Sequence, residues 1–388
     1  MHVPKISPRF RVSAALLAAL LSFAAQAQMK VGVIASSTGP TAVVGIPQKN
    51  SVALLPKKIG GIDVEYIYYD DASDPTQSVA LIKKLLTEDH VDAIIGPSGS
   101  PNAMGAIQFI AEAKTVMLAP VGTPAVVLPM DEKKKWVFKT TQNDDLISSA
   151  IVSHMARHGV KTVGFIGLND AYGESWYKTF VPMAEKVGIK TITDERFART
   201  DQSVIGQAAK IIIANPDAVL VGAAGGPTVL PETTLVERGY KGQIYQTHGA
   251  ATPDFIRLGG KAVEGTVMAA SLMLVLDEVS DSNPSKKVAL DYIAAYQKLY
   301  GTKPATFGAN VYDAGLLLQV AVPEALQKGK PGTPEFRAAL KTALETAGRI
   351  PVSQGVLDYT PIDHFGFTPD TGVLLTIDNG AWKLVNTH

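Results

Sequence analysis

Short apolar runs alternate with amphipathic helical patterns along most of the chain. Runs with the composition of buried strands occupy residues 29–35, 64–69, 91–95, 116–119, 160–166, 192–197, 218–221 and 244–246. Between them, apolar residues recur at helical spacing, as at Val79, Ile82 and Leu86. Strands that alternate with helices predict an α/β fold with a doubly wound parallel sheet. The pattern stops after Lys139 and restarts, which predicts two such units with a cleft between them.

The helical patterns fall into the same two units and a later all-helical stretch. They cover residues 47–58, 77–89, 102–114, 145–158, 176–187, 204–215, 285–300, 307–326 and 333–346. Near the end, residues 374–377 and 382–385 flank Asp378-Asn379-Gly380. An Asn-Gly pair between two apolar runs predicts a β-hairpin.

The stretch from Ile94 to Thr123 has the composition of a ligand-binding unit. One strand ends at Gly96-Pro97-Ser98-Gly99-Ser100, and the next ends at Pro120-Val121-Gly122-Thr123. Ligands of parallel sheets bind where strands end, and a helix N-terminus attracts an anion there. The sequence therefore predicts a site for the carboxylate of a small molecule. The alternative is an ordinary strand–helix connection built from turn residues.

Composition excludes several classes of function. The 388 residues are 46% hydrophobic, carry a formal net charge of zero and include no cysteine. The balance of charge gives no indication of a nucleic-acid partner. Without cysteine, disulfides, thiol nucleophiles and thiolate metal sites are all excluded.

The first 27 residues have the pattern of a secretory signal peptide. A basic start at Lys5, Arg9 and Arg11 precedes an apolar run over residues 12–24, and Ala25-Gln26-Ala27 fits the cleavage rule. A membrane anchor is the alternative, but the run is too short to span a bilayer comfortably. We therefore expect residues 1–27 to be removed and the protein to act in the periplasm, without itself spanning the membrane.

Several loops in a fixed order carry a family resemblance. The matching segments are Thr38-Gly39-Pro40, Tyr69-Asp70-Asp71, residues 95–100, residues 119–123, Asp170-Ala171-Tyr172-Gly173 and Thr360-Pro361-Ile362-Asp363-His364. In this order the chain resembles the type I periplasmic binding proteins, in the branched-chain amino-acid branch of ABC-transporter substrate-binding proteins. The resemblance implies two Rossmann-like lobes, joined by a three-strand hinge with a ligand cleft between them. Lobe one would comprise residues 29–142 and 273–350, and lobe two residues 143–272 and 351–388.

The resemblance also implies which residues meet the ligand. Positions matching Ser100, Val121 and Thr123 bind the ligand carboxylate through a hydroxyl or a backbone N–H group. Tyr172 matches a tyrosine that reaches the ligand from lobe two, although a ring packed at a turn is the alternative. Val44 would leave a smaller wall than the aromatic residue common there. The predicted ligand-binding residues are Val44, Ser98, Ser100, Val121, Gly122, Thr123, Tyr172, Ala224 and His248.

His248 departs from the family pattern and bears on the class of ligand. Amino-acid binders carry an acid at this position, which pairs with the ligand ammonium, and a buried cation needs such a partner. Imidazole does not neutralise a cation, although Asp170 or Glu174 could substitute. Since His248 suits a phenol or a second carboxylate, and Val44 with Ala224 leaves room for a ring, an aromatic or 2-oxo acid ranks above a branched-chain amino acid.

The function predicted from these residues is that of an extracytoplasmic substrate-binding protein. It would bind a small organic carboxylate as a monomer and deliver it to an ABC permease in the inner membrane, with no cofactor, metal or catalytic residue. Neither a G-x-G-x-x-G fingerprint nor a G-x-S-x-G elbow occurs, and His154 and His158 lack the glutamate of a zinc motif. The alternatives are a branched-chain amino-acid binder, a ligand-sensing module, or a hydrolase on the same fold.

Overall fold

A computed structural model describes residues 28–368 and 371–385 of the chain. The predicted signal peptide, residues 1–27, lies outside the described residues. Within those residues, no helix combines the length and the apolar composition that crossing a membrane requires.

The first lobe is built on a six-stranded sheet in the order β2-β3-β1-β4-β5-β6. Its strands are β1 (Met29–Ala35), β2 (Lys58–Ile59), β3 (Ile62–Asp70), β4 (Ala93–Ile95), β5 (Val116–Ala119) and β6 (Val137–Lys139). All pairs are parallel except β2 with β3. Helices α1 (Ala42–Ser51), α2 (Pro75–Thr87) and α3 (Ser100–Ala113) connect these strands. Because the main strands are parallel, the loops after β1, β4 and β5 meet at one edge.

The second lobe repeats this arrangement with a seven-stranded sheet, in the order β15-β14-β11-β10-β9-β7-β8. Its parallel strands are β7 (Thr162–Leu168), β8 (Lys190–Phe197), β9 (Ala218–Gly222), β10 (Gln243–Gln246) and β11 (Val267–Ser271). Its helices are α4 (Asp144–Arg157), α5 (Ala171–Lys186), α6 (Ile205–Ala214), α7 (Val229–Glu237) and α8 (Pro253–Gly259). The predicted alternation of strands and helices is therefore confirmed in both halves.

Three helices follow β11 in the chain and precede the next strands: α9 (Pro284–Tyr300), α10 (Thr306–Leu326) and α11 (Pro334–Thr346). A small antiparallel pair follows, formed by β12 (Ile350–Val352) and β13 (Gly355–Leu357). The chain then returns to the second sheet as β14 (Gly372–Asp378) and β15 (Ala381–Leu384). These two strands are antiparallel around Asn379-Gly380, so the predicted C-terminal hairpin is confirmed.

Two expectations from the sequence need correction. The helix expected over residues 47–58 begins at Ala42 and ends at Ser51, with Pro47 inside it. The expected start of the last lobe-two segment, residue 351, is also too early. Val352, Leu357 and Phe367 belong to the first lobe's hydrophobic core, so this crossing follows Phe367. Packing decides the boundary, because a short strand has the same apolar pattern in either lobe.

Candidate functional site

A small cavity lies in the cleft between the two lobes, where the strand-end loops of both sheets meet. It encloses about 30 Å³, while one water molecule needs about 10–15 Å³ by the same measure. The lobes also approach each other closely across the cleft. A Cβ atom added at Gly225 of lobe two would lie 3.5 Å from Val44 Cγ2 of lobe one. The cavity is lined by Thr41, Val44, Ser98, Gly99, Ser100, Pro120, Val121, Gly122, Thr141, Tyr172, Arg199, Ala224, His248, Gly249 and Phe307. Every predicted ligand-binding residue except Thr123 is in this set.

Lobe one presents unused hydrogen-bond donors to the cavity. Within the described part of the chain, the backbone N–H groups of Ser98, Gly99, Ser100, Val121 and Gly122 donate no hydrogen bond. The Ser100 hydroxyl is buried and also has no partner. Helix α3 begins at Ser100 without a side-chain cap, so its positive N-terminal end faces the same space. Orphan donors at a helix N-terminus favour an anion such as a carboxylate.

The Ser98 hydroxyl already has partners in the protein. It donates to Gln48 Oε1 at 2.5 Å and accepts the Ser36 N–H at 2.9 Å. These bonds hold the loop after β4 against the loop after β1. Ser98 therefore offers the cavity its backbone N–H rather than its side chain.

Thr123 lies one residue beyond the cavity lining. Its hydroxyl accepts the Ala125 N–H at 3.2 Å and caps the short helical turn Pro124–Val126. This bond uses an acceptor site of the hydroxyl and leaves its proton free to donate, so a contact to the ligand through the Thr123 hydroxyl stays a prediction. A contact through the Thr123 backbone N–H stays a prediction.

Tyr172 faces the cavity with its ring rather than its hydroxyl. The Tyr172 O–H donates to Thr247 Oγ1 at 3.0 Å, and the Thr247 hydroxyl in turn donates to the Ala223 carbonyl. Asp170 caps α5 by accepting the N–H groups of Tyr172 and Gly173. These bonds fix the ring as an apolar wall at the lobe-two side of the cleft.

His248 is buried between the cavity and the rings of Tyr172 and Trp176, at centroid distances of 6.3 and 5.8 Å. Its Nδ1 atom has no hydrogen-bond partner among the described residues. Burial, and then the charge of Lys139, lowers the pKa of His248 to about 3. The ring is therefore neutral near pH 7 and leaves a polar nitrogen for a ligand to satisfy.

Asp170 and Glu174, the two acids that could replace the family's acid at position 248, each form an ion pair with an arginine. Arg199 Nε donates to Asp170 Oδ2 at 2.6 Å, and Arg196 Nε donates to Glu174 Oε1 at 2.7 Å. Arg199 itself lines the cavity, which sequence reasoning missed. No local pattern places Arg199 there, because it belongs to the loop after β8 and reaches the cleft through tertiary packing.

The cavity lining contains no carboxylate among the described residues, and its one charged residue is Arg199. Phe307, at the start of α10, adds an aromatic wall that the sequence reasoning also missed. Val44 and Ala224 leave the remaining walls small. The cavity thus combines anion donors with apolar walls, an arrangement suited to a small acid.

Comparison with known proteins places most of the described region in one family. A family model for periplasmic binding proteins matches residues 28–371. The chain belongs to this family. It is thus a periplasmic binding protein, a solute-binding protein of the type that serves ABC transporters.

Individual relatives of this periplasmic binding protein span nearly its full length. It is 25% identical to a Leu/Ile/Val-binding protein of Rhizobium johnstonii, covering 89% of this chain and 91% of that protein. An extracellular ligand-binding receptor from Rhodopseudomonas palustris HaA2 is 43% identical, with a TM-score of 0.91 over 93% of this chain and 100% of the other. A solute-binding protein from Rhodopseudomonas palustris BisB5, solved with 3,4-dihydroxybenzoic acid, shares the fold at 20% identity and a TM-score of 0.76, covering 93% and 96%.

The unpartnered hydroxyl of Ser100 gives a direct test of the anion site. Ser100→Ala should weaken binding of a carboxylate ligand by about 1–3 kcal/mol, because a charged acceptor loses one donor. Isothermal titration calorimetry measures this change. Thr333→Val is the matched control, since it removes a hydroxyl that caps a helix and does not line the cavity. Equal losses in the two variants would contradict the assignment of Ser100.

Proposed function

We propose that this periplasmic binding protein captures a small organic acid, aromatic or 2-oxo, in the inter-lobe cleft and delivers it to an ABC permease in the inner membrane. The observation that carries the proposal is the composition of the cavity. Orphan N–H groups and the Ser100 hydroxyl gather on one side, with neutral His248 and Arg199 opposite.

The positions of these groups support an elongated acid with one carboxylate. That carboxylate would accept the free N–H groups at the start of α3 and in the loop after β5. The ring or alkyl body would lie among Val44, Tyr172 and Phe307. A hydroxyl or keto oxygen at the far end would meet His248, whose Nδ1 atom is without a partner.

Branched-chain amino-acid binding is the second candidate. It is favoured by the Leu/Ile/Val-binding relative and by one feature of the site. Asp144 Oδ1 is buried without a hydrogen-bond partner and lies close to Gly122: a Cβ atom added at Gly122 would be 2.6 Å from this oxygen. A ligand ammonium that reached this oxygen would find the counter-charge that His248 does not provide.

Ligand-driven closure tests the proposed binding mechanism. Since both lobes line the cavity, an acid held between them stabilises the closed arrangement by hinge bending. After bound ligand has been stripped, adding 4-hydroxybenzoate or 4-methyl-2-oxopentanoate should reduce the radius of gyration in small-angle scattering. Mass spectrometry of the molecule released by stripping identifies the natural ligand. Superimposable scattering curves at saturating acid, with calorimetric binding present, would remove the closing mechanism.

A further inference from the structure

Lys139 is a buried cation directly behind the loop that follows β5. The residue is 0% exposed, and its ammonium donates to the carbonyls of Gly122 and Thr123. No carboxylate of the described residues lies within 4.0 Å of the ammonium. A buried ammonium without a close counter-ion is costly, which calls for an explanation beyond packing.

The bonds from Lys139 determine which way the loop's peptide groups point. A peptide C=O and the N–H of the following residue point in opposite directions. With the Gly122 carbonyl drawn towards Lys139, the Thr123 N–H is turned to the opposite side. The N–H groups of Val121, Gly122 and Thr123 donate no hydrogen bond in the region the structure describes. Lys139 therefore fixes the direction of the Thr123 N–H, next to two further unused donors in the same loop.

Asp144 reaches the same loop from the other lobe. Its backbone N–H donates to the Gly122 carbonyl at 3.3 Å, so a lobe-one amine and a lobe-two amide share one acceptor. Asp144 Oδ2 accepts the Ser175 hydroxyl at 2.6 Å, while Oδ1 is buried without a partner. Residues 140–143, one of the chain's crossings between lobes, separate the two charged residues.

The charge of Lys139 is felt both at Asp144 and in the cavity. Burial lowers the pKa of Lys139 and raises the pKa of Asp144, and the opposite charge of each group limits the shift of the other. The lysine charge also contributes, after burial, to the lowered pKa of His248. An anion at the loop's N–H groups would add to the counter-charge that Asp144 provides.

We propose that Lys139 is the positioning residue of the anion site: it orients the free Thr123 N–H towards the ligand and selects, by its charge, an acid over an uncharged analogue. Asp144 opposes this selection because it partly neutralises the lysine. The inference rests on the proposed function, since it requires a carboxylate ligand. It adds a residue outside the cavity lining to those that determine specificity.

The test compares an acid with its own amide. The probes are 4-hydroxybenzoate with 4-hydroxybenzamide, and 4-methyl-2-oxopentanoate with its amide. Calorimetry gives the ratio of acid to amide affinity for each variant. Lys139→Gln keeps a hydrogen-bond donor and removes the charge, so this ratio should fall by about 10- to 100-fold. Lys139→Arg should restore most of the ratio.

Lys286→Gln is the matched control. Lys286 also donates to a backbone carbonyl, that of Val279 at 2.7 Å, but pairs with Asp281 and does not line the cavity. Its replacement should leave the ratio at the wild-type value. A merely structural role for Lys139 would lower the affinities for acid and amide together and leave their ratio unchanged.

Asp144→Asn provides a second test that does not depend on the folding of a lysine variant. Asparagine preserves the shape and can still accept from Ser175, but the lysine charge is no longer opposed. The acid-to-amide ratio should therefore rise at a pH low enough to keep Lys139 protonated, because loss of the Asp144 charge lowers the pKa of Lys139 further. An unchanged ratio in Asp144→Asn and in any folded Lys139→Gln overturns the role of Lys139 while acid binding by the wild type stands. Failure of the wild type to bind either acid overturns the proposed function and this inference together.

Discussion

Replacing Gly122 by alanine should weaken ligand binding by about 1–3 kcal/mol, roughly 5- to 150-fold, because the added methyl group has no room when the lobes are closed. A Cβ atom there would lie 2.6 Å from Asp144 Oδ1, 3.0 Å from His248 Nε2 and 3.1 Å from Tyr172 Cε2. All three neighbours belong to lobe two, while Gly122 belongs to lobe one. The cost therefore falls on the closed form, and separating the lobes relieves it.

Calorimetry and small-angle scattering together check this expectation. Gly122→Ala should bind acid more weakly and should keep a larger radius of gyration than the wild type at the same ligand concentration. The variant should retain its thermal stability without ligand, since the open form accommodates the methyl group. Gly206→Ala is the matched control, because a Cβ atom at Gly206 meets nothing within 4 Å. Wild-type affinity in Gly122→Ala would mean that ligand binding does not require the close approach of Gly122 to lobe two.

The residues around the cavity could be predicted wherever local order determines them. Ser100, Val121 and Gly122 follow directly after strands or open a helix, and parallel pairing brings such loops to one edge of the sheet. The sequence was therefore sufficient to locate the loops whose N–H groups line one side of the cavity. Thr123 shows the limit of this reasoning: the residue is in the expected loop but outside the cavity lining, and its hydroxyl also caps Pro124–Val126.

The residues that sequence reasoning missed depend on contacts between distant segments. Arg199 reaches the cleft and pairs with Asp170 across 29 residues, and Phe307 comes from a helix that follows both α/β units. Lys139 and Asp144 were visible only as the end of a strand and the start of a helix. Their contacts with Gly122 arise because the chain passes between the lobes at that point, which periodicity does not reveal. The late crossing after Phe367 was missed for the same reason.

The class of ligand should show itself as a difference in thermal stabilisation. We expect 4-hydroxybenzoate or 4-methyl-2-oxopentanoate to raise the melting temperature more than leucine, isoleucine or valine at equal concentration. A zwitterionic amino acid brings an ammonium into a closed cleft whose described lining includes no carboxylate. Leaving that cation unpaired costs several kcal/mol, against about 8 kcal/mol in total for a micromolar complex.

Substitution at His248 should reverse this preference. His248→Glu places a carboxylate beside the cavity, where it repels an acid and offers a partner to an ammonium. Acid binding should fall by about 3 kcal/mol or more, since the added charge is buried close to a ligand of the same sign. His248→Gln should keep the preference for acids, because it is neutral like the native ring. His158→Glu is the control, because His158 is exposed and the substitution brings the same change of charge. It should leave the affinities for the acid and for the amino acid unaltered.

Stronger stabilisation by leucine, isoleucine or valine in the wild type would contradict the ranking and would point to a particular atom. Asp170 and Glu174 are held by arginines, so neither is free to receive an ammonium. Asp144 Oδ1 is the remaining buried oxygen near Gly122 without a partner. In that case Asp144→Asn should abolish amino-acid binding, whereas with an acid as ligand the same variant should bind more tightly at a pH that keeps Lys139 protonated. The one substitution thus separates the two ligand classes by the sign of its effect.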